Sequence, residues 1–269
     1  MRLSRIVLLC CGAVIIALTT APRLYSQQTI VNLPSADQTQ AGHFFALHET
    51  QLRLWEPETF WTSTNFLTYG VSETFEVCLT TYNIDLAGTA PFKPYTALGF
   101  GYKMAQPLFA TALRDAGMGY LEPKLTLGQM VTVSLDGLGT GLWSYGHLSF
   151  RLPTLQTRLA GGLSMGSRQI FGGESRQFIS TDKISFIGSI EQPIWHDEHQ
   201  EIGFAMEWFA GSHELADLVP GFVYHNHEHE FLVVLGYKIS NSSLNEGTPI
   251  GTTIARKGNG IIFEIGKTF

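Results

Sequence analysis

The stretch Ile261-Ile-Phe-Glu-Ile-Gly-Lys-Thr-Phe269 decides the fold class. Ile261, Phe263, Ile265 and Phe269 fall on one face of a strand, and Ile262, Glu264, Gly266 and Thr268 fall on the other. The chain stops on an aromatic side chain, flush with the end of the strand. A strand at the rim of a soluble sheet seldom ends this way.

The same two-sided pattern recurs upstream. In 201–211, Ile202, Phe204, Met206 and Trp208 alternate with Glu201 and Glu207. In 183–194, Ile184, Phe186 and Ile190 alternate with Lys183 and Glu191, and in 230–240 Phe231, Val233, Leu235, Tyr237 and Ile239 oppose Glu230 and Lys238. In 73–83, Phe75, Val77 and Leu79 oppose Glu76. Twelve strands are predicted: 42–55, 60–69, 73–83, 95–104, 122–135, 141–151, 156–168, 183–194, 201–211, 217–225, 230–240 and 260–269. Their spacing suits an up-and-down meander and leaves no room for βαβ units. The segment 105–121 reads either as a connection with a short helix over 108–115, giving twelve strands, or as two further strands, giving fourteen; about twelve strands are expected, within a range of ten to fourteen.

The ends and composition narrow the class. Arg2 and Arg5 precede an apolar run from Ile6 to Leu18, too short for a comfortable membrane span, and cleavage is expected after Leu24-Tyr25-Ser26. Residues 1–26 are thus expected to be a signal peptide, 27–41 a periplasmic lead-in and 42–269 the barrel. Losing Arg2, Arg5 and Arg23 with no acid makes the mature chain more acidic than the −6 of the full sequence, which argues against nucleic acid as a partner. Cys78 is the one cysteine outside the signal peptide, so no disulfide framework is expected. Charged residues make up 15% of the chain and mean hydropathy is +0.08, a balance that alternating membrane strands produce and amphipathic-helix enzymes do not.

These readings combine into an all-β, transmembrane, antiparallel up-and-down barrel in a bacterial outer membrane. With an even strand number both termini lie in the periplasm. Turns 70–72, 152–155, 195–200 and 226–229 are then short and periplasmic, and connections 84–94, 169–182 and 241–259 are long and extracellular, the asymmetry such barrels show. Phe263, Ile265 and Phe269 form the aromatic-ended signal read by barrel-assembly machinery. Trp55, Trp61, Trp143 and Trp208 are expected at the extracellular interface and Trp195 at the periplasmic one.

The segment from Trp208-Phe-Ala-Gly through Pro220-Gly-Phe-Val-Tyr224, followed by Leu235-Gly-Tyr-Lys238, resembles a bacterial outer-membrane barrel family. That family is described as transporter-like and is linked to the phenol meta-cleavage pathway. Ile30-Val-Asn-Leu-Pro-Ser-Ala-Asp37 is similar to the start of other bacterial barrels. The resemblance covers about a third of the chain. It implies fold and location, with no catalytic residue and no substrate.

On this register Glu49, Arg53, Glu76, Lys103, Lys124, Arg151, Arg158, Arg168, Lys183, Glu191, Glu207, Lys238 and Glu264 face the lumen. They either line a polar pore or pair across strands and close the barrel. The expected function is porin-like or transporter-like passage of small solutes, with outer-membrane lipid as the surrounding partner. The alternative is a closed structural barrel whose loops bind a ligand outside. His147-x-Ser149 raises the thought of an outer-membrane hydrolase, but it falls on the lumen face with no third member, so no enzymatic activity is expected. No cofactor is expected. His196, His199, His225, His227 and His229 cluster in two turns on one rim, where imidazoles form a weak candidate metal site.

Overall fold

The computed structural model describes residues 34–54, 60–82, 96–135, 140–166, 184–211, 216–241 and 259–269. Twelve strands occupy them: β1 (Phe44–Arg53), β2 (Phe60–Ser72), β3 (Phe75–Tyr82), β4 (Ala97–Pro107), β5 (Lys124–Ser134), β6 (Thr140–Arg151), β7 (Arg158–Gly166), β8 (Ile184–His196), β9 (Gln200–Phe209), β10 (Asp217–Asn226), β11 (Phe231–Ser240) and β12 (Gly260–Thr268). Each pairs antiparallel with its sequence neighbours, and β1 pairs with β12, closing the barrel. Strands of 8 to 13 residues suit a tilted crossing of a hydrocarbon layer. Among the described residues no helix is long and apolar enough to span a membrane, which says nothing against crossing by strands.

The seam carries the logic of the last strand. Phe45 lies opposite Thr268, Leu47 opposite Gly266 and Glu49 opposite Glu264. Phe44 and Phe269 exchange both backbone hydrogen bonds, at 3.2 and 2.8 Å. A sheet without an edge leaves no row of unpaired amides, the condition for residence in lipid.

Segment 105–121 takes the connection form. β4 runs to Pro107, and a short helix α1 (Ala110–Asp115) and a 3-10 turn (Gly119–Leu121) follow. The turn expected at 70–72 lies two residues later, because a bulge between Gly70 and Ser72 lets β2 continue to Ser72. A second bulge separates Pro193 from Trp195 on β8, where proline has no N–H for the ladder. Asp197 closes the β8–β9 turn by accepting the N–H groups of His199 and Gln200, both at 2.8 Å. Those amides hold its carboxyl below the usual value.

Burial alternates along most of the strands, so the sides of the wall can be read from the residues. Phe186, Trp208, Phe222, Leu235, Phe263 and Ile265 are exposed on the outside, while Glu207 and Glu264 are almost fully enclosed. The apolar side faces out and the charged side in, the reverse of a soluble barrel.

The ends of the barrel are distinguishable. Call the terminal end the one where Phe45 meets Thr268. The turns between β2 and β3, β6 and β7, β8 and β9, and β10 and β11 all lie there, as does the α1 connection. The long connections 84–94 and 169–182, and nearly all of 241–259, lie outside the described residues, as do residues 1–26.

Candidate lumenal site

The segment 34–41, expected as a periplasmic lead-in, lies inside the barrel. Ser35, Ala36, Asp37 and Thr39 are buried. The reason is a set of polar bonds from this segment to inward side chains on several strands. At its downstream end the Thr39 N–H donates to Glu76 Oε2 at 2.6 Å, and the Thr39 and Thr68 hydroxyls share a 2.8 Å hydrogen bond. Further upstream Asp37 meets Arg158 of β7 and Lys124 of β5. Pro34 reaches a small cavity beside His147, Ile187 and Ser189 on β6 and β8. The segment therefore crosses the lumen from the β2–β3 wall to the β6–β8 wall.

Gly42 makes the crossing compatible with the seam. Its φ of +82°, favourable only for glycine, turns the segment sharply into β1, closed by His43 N–H to the Gln40 carbonyl at 3.0 Å. Ala41 pairs with Gly70 in a single parallel bridge, and the Gly42 N–H donates to the Gly70 carbonyl at 2.8 Å. Gly70 gives the segment its room: a Cβ there would lie 2.2 Å from the Gln40 carbonyl oxygen and 2.4 Å from that of Thr39.

Asp37 is the electrostatic centre. Arg158 donates Nη1 to Oδ2 at 2.7 Å and Nη2 to Oδ1 at 3.0 Å, a two-pronged grip, and Lys124 Nζ lies 3.5 Å from Oδ1. Burial by itself would raise the Asp37 carboxyl. The Arg158 and Lys124 cations outweigh burial and hold it well below the usual carboxylate range.

Several other lumenal charges are engaged along the wall. Lys103 meets Glu76 at 3.0 Å on directly opposed positions of β3 and β4, and Arg158 also reaches Glu191 at 3.4 Å on β8. Lys238 meets Asp217 at 2.6 Å, and Arg151 meets Glu122 at 3.1 Å. Glu49 accepts from Gln51 Nε2 at 2.7 Å, while Arg53 donates to Gln51 Oε1 at 3.3 Å. Arg168 and Lys183 lie outside the described residues.

Sequence reasoning missed an apolar inner wall. Phe45, Leu47, Ala205, Val219, Leu232, Val234 and Ile262 form a buried cluster, with Phe66 and Val223 packed against it. These residues project inward from β9, β10, β11, β12, β1 and β2. The interior from β9 round to β2 thus carries an apolar cluster alongside the buried charges Glu49, Glu207, Asp217, Lys238 and Glu264 on the same strands, and the Asp37 ion pairs lie on the β5–β8 side. The signal lay in Phe231-Leu-Val-Val-Leu235, apolar on both faces, as strands covered on both sides are.

A small, open cavity lies at the terminal end of the β6–β10 wall. Arg151, Arg158, Glu191, Glu201 and His225 supply its polar lining, and Ala205 and Val223 are among its apolar neighbours. It adjoins the Asp37 grip through Arg158.

The five histidines do not assemble into a ligand set. His225 is turned inward and its ring meets that of His227 edge-on, with centroids 4.7 Å apart, while His196, His199 and His229 are exposed. His227 Nε2 is 4.0 Å from Glu201. Burial lowers the His227 imidazole, against the pull of Asp197. Among the described residues no group of three or more His, Cys, Asp or Glu is placed to hold a metal.

His147 and Ser149 are buried on the inner face, away from lipid. Trp61, Trp195 and Trp208 are on the outer surface, Trp195 toward the terminal end and the other two toward the opposite end. Trp143 departs from expectation: its ring packs with Tyr145 and Phe209, both buried, at 5.0 and 6.3 Å. Odd positions of β6 face inward, so it fills the lumen instead of marking an interface. Trp55 lies outside the described residues.

No family model matches the chain, and no curated protein matches it. Among solved structures it is similar to the KdgM porin in complex with disordered oligogalacturonate, at 6% identity and a TM-score of 0.50, over 84% of this chain and 99% of that one. It is also similar to an outer-membrane channel from Pseudomonas putida F1, at 9% identity and a TM-score of 0.45, over 93% and 100% of the two chains. At such identity the likeness to the porin shows the fold alone: a closed antiparallel barrel of the outer-membrane channel type.

Proposed function

We propose that this protein is a porin-like channel that passes small solutes across a bacterial outer membrane. The observation that carries the reading is the inverted closed wall: an exposed apolar outside, a charged inside, and no free sheet edge. The occupant of the lumen is a short segment held largely by hydrogen bonds and ion pairs, an obstruction that can be moved without rebuilding the wall. The porin fold supports the same reading.

In this reading the terminal end faces the periplasm and both termini lie there, with the long connections outside. Outer-membrane lipid surrounds the outer face, and barrel-assembly machinery reads the strand bearing Phe263, Ile265 and Phe269. No catalytic step is assigned. The finer likeness, to transporter-like barrels linked to the phenol meta-cleavage pathway, rests on the residues between Trp208 and Lys238.

Purified protein in planar lipid bilayers tests the function. Discrete conductance steps above bare lipid are expected. Absence of steps, together with no swelling of protein-loaded liposomes in small sugars, would sink it.

A further inference from the structure

We propose that the Lys124–Arg158 cradle is a binding site for the carboxylate of a small organic acid, and that Asp37 occupies it as an internal stand-in. The inference rests on the channel reading above and names a substrate class for it.

Asp37 presents a carboxylate in the geometry a ligand would use. Both oxygens are gripped by one guanidinium, with an ammonium 3.5 Å from one of them. This planar, two-pronged recognition makes arginine a carboxylate receptor wherever it is enclosed. The grip comes from a segment that lies across the lumen and is not part of the wall. A soluble carboxylate can replace it one for one, leaving the two cations paired.

The adjoining cavity gives such a ligand somewhere to put its body. It shares Arg158 with the cradle and is lined in part by Ala205 and Val223, which offer apolar contact to the start of a chain attached to the carboxylate. The charges that face this region are Lys124, Arg151 and Arg158 against Asp37, Glu122, Glu191 and Glu201, with His225 alongside. With Asp37 withdrawn the region gains one positive charge, and Lys124 and Arg158 lose the carboxylate they share. A neutral molecule of the same shape gains nothing from that change, and an organic cation is disfavoured by it.

The competition has a thermodynamic consequence. A ligand that must displace an internal occupant binds more weakly by the fraction of time the site is vacant. Removing the Asp37 charge removes the competitor, so the site becomes more available as the segment becomes looser.

Hexanoate and its neutral analogue hexanamide serve as probes. Binding is measured calorimetrically on the folded full chain in detergent, with folding checked by the shift in gel mobility on heating. Asp37→Asn is expected to bind hexanoate at least about tenfold more tightly than the unaltered protein. Arg158→Gln should lose that binding, and hexanamide should bind neither. Equal hexanoate affinity with and without Asp37, or equal binding of the amide, overturns the proposal. In bilayers, hexanoate should raise the conductance of the unaltered protein and hexanamide should not. If channels form but hexanoate and hexanamide act alike, the cradle proposal falls while the channel stands. If calorimetry gives the tenfold difference but no variant conducts, the binding site stands and the channel reading falls.

Discussion

Arg158 holds both carboxylate oxygens of Asp37, at 2.7 and 3.0 Å, from 121 positions further along the chain. Breaking such a buried pair by removing one partner costs about 3–5 kcal/mol, because the other charge stays enclosed. Asp37→Asn should therefore unseat segment 34–41, seen as a higher open probability in bilayers.

The pH dependence of this effect follows from its sign. The seated Asp37 carboxyl lies below its ordinary value of 3.8, so its contribution to seating is complete above that value and is lost as pH falls below it. The difference in conductance between the unaltered protein and Asp37→Asn should stay flat from about pH 8 to about pH 5 and shrink below about pH 4. A difference that disappears near neutral pH would contradict the Arg158 grip.

Gly70→Ala should displace the same segment by a different route. The added Cβ would meet the Gln40 and Thr39 carbonyl oxygens, both backbone atoms that cannot rotate away. The barrel wall keeps its pairing, so heat-resistant gel mobility is expected to persist while conductance rises. Unchanged conductance in a folded Gly70→Ala barrel would show that the segment does not limit flow.

Outward positions should resist charge according to depth. Met206 alternates with the buried Glu207, so Met206→Arg places a cation against hydrocarbon, costing roughly 2–4 kcal/mol near the midplane. Ile202, closer to the terminal rim, should tolerate arginine at a much smaller cost. Urea titrations in lipid vesicles measure both, and equal costs would put the membrane at a different level on the barrel.

Closure makes its own prediction. Ala46 lies directly opposite Lys267 across the seam. Cysteines at these two positions in a Cys78→Ala background should be joined by a short thiol-reactive crosslinker in intact membranes. Deleting Phe269 removes its paired bonds with Phe44 and should lower the yield of inserted barrel far more than the loss of one exposed ring would. Efficient insertion of the truncated chain would remove the terminal aromatic from the assembly signal.

How far the sequence could be read depended on how local each signal was. Strand positions were legible because alternation is a property of neighbours, and Glu207 beside Met206 or Glu264 beside Phe263 shows which side is which. Segment 34–41 was not, because Pro-Ser-Ala-Asp reads as a solvated turn and the cations that enclose Asp37 lie on distant strands. The apolar inner wall was hidden for a related reason: in Phe231-Leu-Val-Val-Leu235 both faces are apolar, so period two names no outside. Trp143 was misread because a preference for interfaces says nothing about which side of the wall a ring occupies.

The apolar inner cluster around Phe45, Leu232 and Ile262 also bears on calorimetry. Outward side chains sit in hydrocarbon when the barrel is folded, and in a micelle many of them remain there after it melts. The enclosed cluster is different, since melting exposes it to water. A water-filled tube would melt with little change in heat capacity. Here the positive heat-capacity increment of detergent unfolding reports mainly the inner wall, and it should fall when Leu232 or Ile262 is truncated and hold when Leu235 is.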